Sequence, residues 1–254
     1  MKWTAVLLAG SRPGGDPLAR SMMVGHKALL PVAGEPMLLR PLRALLASPA
    51  IGEVIVLTQE PRDLRPVLPG DPRVSLRASR ETIASSIAEL ISDRAAQFPV
   101  LVTTADHALL DEAMIAEFTR AATGADLAIG LVEREPLMRR FPDAKRTWIG
   151  FRGGSYSGAN LFAFGSAKVL PAIERWRSVE QDRKKGWRIL AALGPALLLG
   201  AVLKLRTLHQ TAAAVGRKLG IDIRMVEMSN PLAAIDVDKV EDHELVEAII
   251  AGKA

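Results

Sequence analysis

The stretch Leu7–Arg20, LLAGSRPGGDPLAR, ends an apolar run at Gly10 and then places three glycines, two prolines and two arginines within eleven residues. Glycines let backbone N–H groups approach an anion, and an arginine offers a planar fork of donors matched to phosphate oxygens. Arg12 is placed for that role. Lys27, in HKALLPVAGEPM, would add a point charge. A second stretch, LVTTADHALL, reads as a buried strand ending in one acid, Asp106. A single carboxylate at a sheet rim suits a hard cation such as Mg²⁺, which keeps waters and takes substrate phosphate oxygens as its other ligands. Taken singly, each feature has a plainer reading. The loop could be an ordinary strand-to-helix connection with surface charges. Asp106 could be a helix cap, although Asp111 is the better cap for the helix that follows.

Other chemistries find little support. The chain has no cysteine, so disulfides, thiolate metal sites and cysteine catalysis are out. His26, His107, His209 and His243 show no metal-ligand spacing, and GGSYSG has tyrosine where a nucleophile elbow needs serine. The Walker A and GxGxxG patterns are both absent. The net charge of +5 allows nucleic acid, lipid or phosphate as a partner, but aromatic residues are only 4% of the chain, which leaves little to stack on bases. A phosphorylated small molecule is the expected partner, with no nucleic acid.

These residues need elements to position them. At 49% hydrophobic and 24% charged, the 254 residues can build a full core. Strands are predicted over 2–9, 52–59, 73–78, 99–106, 125–133 and 221–228. Helices are predicted over 36–48, opened by Pro36, and over 81–97, 111–124 and 240–252. The segment 146–165 reads as two strands around a glycine-rich turn, and 166–219 as a helical region. Strand–helix alternation implies a mostly parallel sheet with helices on both faces, and ligands sit beyond the carboxyl ends of its strands. Gly10 and Asp106 both follow such ends, so one rim holds both. The N-terminal apolar run is only strand-length and lacks the cleavage pattern of a signal peptide, which together with the absence of cysteine gives a cytoplasmic expectation.

The stretch LLAGSRP…HKALLPVAGEPMLLRPLRAL resembles the MobA-like nucleotidyltransferases of the GT-A type. Leu8, Ala9, Gly10, Arg12, Lys27, Leu29, Gly34, Pro36 and Met37 fall on that family's pattern, whereas Ser11 replaces a glycine and the gap before Lys27 is long. AIDVDKVEDHELV (Ala234–Val246) resembles the family's late acidic motif, with Val240 in place of the usual proline. Asp236 and Asp238 stand two residues apart, and one of them is expected to reach a metal. The family pattern favours Asp238, with Asp236 as the alternative. Glu241 and Asp242 read as first-turn helix residues that complement the helix dipole.

The resemblance implies a Rossmann-like GT-A three-layer α/β/α sandwich, a single domain over 1–254. Its nucleotide-binding half would be 1–135 and its acceptor-binding half 136–254. It also implies Mg²⁺ (or Mn²⁺) on Asp106 and Asp238, and transfer of NMP from an NTP to a phosphorylated acceptor with release of pyrophosphate. The implied catalytic residues are Arg12, Lys27 and Asp106. Nucleotide contacts would come from Leu8, Ala9, Gly10, Ser11, Arg12, Lys27, Ser79, Ser85 and Thr104, and acceptor contacts from Gly158 and Asn160. For the serines, helix capping or packing competes, and for SYSGANLFAF a tight hairpin turn competes. The acceptor could be a sugar, polyol, lipid-linked or cofactor phosphate, and a molybdenum cofactor guanylyl- or cytidylyltransferase is an alternative. So are a GT-A glycosyltransferase, which would carry Asp-x-Asp where TADHA has one acid, and a non-catalytic nucleotide-binding protein. Ile189–Leu203 holds fifteen residues without a charge between basic flanks. That is short for a membrane span, so a buried helix is the default and peripheral membrane contact through 187–206 the alternative.

Overall fold

The computed structural model describes residues 2–10, 15–174 and 204–253. In chain order the strands are β1 (Trp3–Leu8), β2 (Pro31–Val32), β3 (Glu35–Pro36), β4 (Ile51–Thr58), β5 (Val74–Ala78), β6 (Val100–Thr104), β7 (Leu127–Glu133), β8 (Ile149–Phe151), β9 (Gly154–Phe164) and β10 (Ile223–Glu227). The helices are α1 (Pro17–Ser21), α2 (Leu39–Ala47), α3 (Pro61–Leu64), α4 (Ile83–Ser92), α5 (Glu112–Ala122), α6 (Arg134–Arg140), α7 (Leu208–Leu219) and α8 (Val240–Ile250).

The main sheet runs β10-β7-β9-β6-β1-β4-β5, with β8 paired to β9. Its neighbours are parallel except around β9, which is antiparallel to β6, β7 and β8. One strand from the second half of the chain thus sits between two from the first, so both halves share one rim.

Residue alternation along β1 divides the core. Trp3, Ala5 and Leu7 join α2, α5 and Val246 of α8 on one face, while Val6 joins Ile87, Leu90 and Ile91 of α4 on the other. This is the expected α/β/α sandwich.

Three local expectations need correction. Pro36 does not open a helix. It closes a two-strand ribbon in which Ala33 (φ 52°) and Gly34 (φ 80°) form the turn, and α2 begins only at Leu39. A two-residue turn with both φ positive matches strand twist, and glycine adopts it without strain. The helix expected over 81–97 ends at Ser92. Arg94 turns left-handed (φ 54°), and Ala96 folds back to bond the Leu90 carbonyl and re-enter the core. That return explains why the apolar spacing ran on past the helix. The hairpin turn in 146–165 lies at Arg152 and Gly153, so Gly158 and Asn160 stand inside β9, in neither a turn nor a loop. Within 166–219 the described helices are a short 3₁₀ turn over Ala167–Val169, a helical stretch over 170–174 and α7. The apolar segment 189–203 lies outside the described residues, as do Ser11 and Arg12.

Candidate active site

The first loop leaves β1 with its backbone already committed to the sheet. The Ala9 amide donates to the Leu57 carbonyl, and the Leu8 carbonyl accepts from Ala105. The Ala9 amide is therefore already used, and the exposed part of the loop begins at Gly10.

Lys27 opens a short 3₁₀ turn capped by His26, whose Nδ1 accepts from the Ala28 amide at 3.1 Å. Nε2 therefore carries the proton and donates to Thr58 Oγ1, 3.3 Å away at the end of β4. Burial holds the His26 pKa below the ordinary histidine value, against the opposing pull of Asp63. His26 thus joins the lysine's turn to the rim.

From that turn Lys27 Nζ reaches Asp106 Oδ2 at 2.8 Å and Asp238 Oδ1 at 2.5 Å. Its side chain is 10% exposed, against 20% for Asp106 and 39% for Asp238. Burial alone would lower the Lys27 pKa, but the two carboxylates outweigh it and the net shift is upward. The late acidic segment is fixed beside Asp106 through its backbone, with the Val237 amide donating to the Asp106 carbonyl at 3.0 Å.

Asp236 points the other way. It pairs with Arg146, whose Nη2 also bonds the Asp236 carbonyl (3.1 Å) and Asp242 Oδ1 (3.3 Å), and it accepts from Asn160 Nδ2 at 2.9 Å. Asp242 Oδ2 in turn accepts from the amides of Asp238 and Lys239 at the start of α8. The Arg146 side chain is only 8% exposed. Burial pushes the Asp236 pKa up, with Asp106 and Asp238 adding to it and Arg146 and Asn160 opposing. Asn160 reaches Asp236 from a bulge. The β7–β9 register shifts between Ile129 and Leu131, and Asn160 adopts φ 50° there.

A cavity of about 1020 Å³ opens beside this network. Arg140, Lys145, Arg146 and Lys239 supply its cations, Asp143, Asp236, Asp238, Glu241 and Asp242 its acids, and Gly158 and Asn160 line it as well. A Cβ at Gly158 would have no neighbour within 4 Å among the described residues.

Of the other expected contacts, Ser79 Oγ and Thr104 Oγ1 are buried with no partner among the described residues. Ser79 follows β5, with its amide bonded to the Thr58 carbonyl. Ser85 is engaged in the helix cap, with its amide and its Oγ both bonded to Thr82 Oγ1. Sequence reasoning missed Arg146 and gave Asp242 only a dipole role. Arg146 lies in a connection with no motif around it, and only the fold brings it within reach of residues some ninety positions later.

The residues present fit a hard divalent cation. Asp106 and Asp238 bring oxygen donors to one point, and Asp106 Oδ1 is buried without a hydrogen-bond partner among the described residues. No cluster of three metal-ligating side chains occurs among the described residues, and two carboxylates suit an ion that completes its shell with water and phosphate.

Residues 5–197 match the model of the MobA-like NTP transferase domain. The chain belongs to that family. Its members are NTP transferases. Among solved structures, the chain is similar to a hypothetical transferase from Thermus thermophilus at 27% identity and TM-score 0.80, over 96% of this chain and all of that one. It shares its fold with a CMP:2-keto-3-deoxy-manno-octonic acid synthetase complexed with CTP (14% identity, TM-score 0.62, 100% of both chains). It also shares its fold with a 2-C-methyl-D-erythritol 4-phosphate cytidylyltransferase from Thermus thermophilus (17%, 0.54, 99% of this chain and 100% of that one). No curated protein matches the sequence. No helix among the described residues is long and apolar enough to cross a membrane.

Proposed function

We propose that the protein transfers NMP from an NTP to a phosphorylated acceptor and releases pyrophosphate, as a single domain with a nucleotide-binding half over 1–135 and an acceptor-binding half over 136–254. The observation that carries this reading is the meeting of Asp106 and Asp238 at Lys27, on the rim beside a cavity lined by Arg140, Lys145 and Lys239. An acceptor phosphate oxygen attacks the α-phosphorus, an α-P–O bond forms, and the bond to pyrophosphate breaks. The nucleophile is ionised at neutral pH, so no general base is required. Lys27, with Arg12 from the first loop, holds the triphosphate and stabilises charge on the departing pyrophosphate. Asp106 and Asp238 would hold Mg²⁺ or Mn²⁺, which supplies charge neutralisation across the phosphates. Asp236 is the less suitable ligand because Arg146 and Asn160 already occupy its oxygens. Ser79 and Thr104, whose hydroxyls have no partner among the described residues, are candidate nucleotide contacts; Ser85 is a weaker one. The acceptor enters over Gly158 and Asn160.

The test is pyrophosphate release from each of the four NTPs, with Mg²⁺ and a panel of phosphorylated sugars, polyols, lipid-linked phosphates and molybdopterin. Mg²⁺-dependent release with one acceptor is expected. Release of a nucleoside diphosphate from a nucleotide sugar, with no pyrophosphate from any NTP, would make the protein a glycosyltransferase instead.

A further inference from the structure

We propose that Lys27 makes this site select a divalent cation that arrives together with a triphosphate, and reject the free ion. The inference rests on the nucleotidyltransferase reading above. A positive charge already stands between the two carboxylates that would hold the metal, since Lys27 Nζ is within hydrogen-bond distance of both Asp106 and Asp238. The lysine side chain is nearly enclosed, and its Nζ lies 2.8 Å from one carboxylate and 2.5 Å from the other, so it stands as their shared counter-charge. A free divalent ion therefore has two routes, both unfavourable. It can share the site with the ammonium, where like charges lie a few ångströms apart in partly desolvated surroundings. Or it can displace Lys27, leaving a buried ammonium with no counter-charge.

A triphosphate removes the conflict. Its oxygens give Lys27 a new partner, and the flexible four-carbon stem can carry the ammonium to them. The two carboxylates are then released to the cation that the same triphosphate brings. No bond is made or broken; one pairing is exchanged for another. Cation and nucleotide each strengthen the binding of the other by the same factor, as linkage requires. Arg146 could not act this way. Its fork is held by two carboxylates and a carbonyl at once, so it has no single partner to trade.

The test is Mn²⁺ binding to the full chain, followed by electron paramagnetic resonance, alone and with α,β-methylene triphosphates of the four nucleosides. The wild type is expected to bind Mn²⁺ at least tenfold more weakly alone than with the best analogue. Lys27→Met is expected to bind Mn²⁺ alone at least tenfold more tightly than the wild type and to lose most of that coupling. Lys27→Arg, which keeps a cation, is expected to leave Mn²⁺ alone weakly bound. Equal affinity of the wild type and Lys27→Met for Mn²⁺ alone overturns the proposal. Should circular dichroism show the variants unfolded, the wild type decides, because equal Mn²⁺ affinity with and without nucleotide overturns it as well. Failure of every analogue to bind the wild type, with Mn²⁺ or without, removes the nucleotidyltransferase reading and the proposal together.

Discussion

Two charged clusters share one rim and even share one tripeptide, yet they are built for different work. Asp238 meets Lys27 and Asp106, while Asp236, two residues earlier, meets Arg146, Asn160 and, through the arginine, Asp242. The first cluster is a point charge on a flexible stem, with Asp238 open to solvent at 39%. The second is a rigid fork, 8% exposed, that ties two side chains and a backbone carbonyl. A lysine held by carboxylates alone can exchange them for phosphate; an arginine with several simultaneous partners fixes the chain around it. One aspartate thus shares a pairing that can be exchanged, and the other is tied into a network that holds its segment still.

Asp106→Asn should abolish pyrophosphate release with little change in melting temperature; unchanged turnover would remove the metal assignment. Lys27→Met should raise the barrier by about 2.7–4 kcal/mol, as for a lost oxyanion donor, while costing little stability. Steady-state kinetics beside a thermal melt separates the two effects. Arg146→Met should do the reverse of Lys27→Met, losing about 3 kcal/mol of folding stability because partly buried Asp236 and Asp242 are left without their cation. Urea denaturation reads that loss, and a variant as stable as the wild type would erase the distinction between the clusters.

The smallest effects fall on His26, which supports Lys27 from behind. His26→Ala should cost about 1 kcal/mol, the usual worth of a helix-cap acceptor, whereas His26→Asn keeps the cap. The sign of the pH effect follows from burial. With the folded pKa below the ordinary value, neutral His26 contributes stability that is present above about pH 6.5 and lost as pH falls through the lowered folded value. Protonation also places a hydrogen on Nδ1, facing the Ala28 amide. Melting temperatures compared between pH 7.5 and 4.5 should therefore fall less in His26→Asn than in the wild type. Equal falls would leave His26 a packing residue only.

Much of this was legible beforehand because it is local. Alternation along β1, the spacing in α4 and α5, and the Asp111 cap, whose Oδ1 accepts from the Met114 amide at 2.7 Å, all report their element from neighbouring residues. Lys27, Asp106 and Asp238 stood out because each follows or precedes a recognisable element. Strand alternation would place Asp236 and Asp238, two residues apart, on one face; their different partners come from the irregular chain over 235–238, which no local pattern announces. Asn160 was singled out as an acceptor contact, but its left-handed backbone and its bond to Asp236 depend on a register shift against β7 that no local pattern announces.

Periodicity and chain order were enough for the layer architecture, the rim that Gly10 and Asp106 share and the residue types available there, because they settle which strand ends carry those residues. Which of these residues meet is settled only in three dimensions. The fold inserted β9 between β6 and β7, brought Arg146 to Asp236 and Asp242, and set one lysine between two aspartates far apart in the chain. Those pairings depend on sheet order and register, which are fixed by burying two apolar faces together, and that is a property of the whole chain.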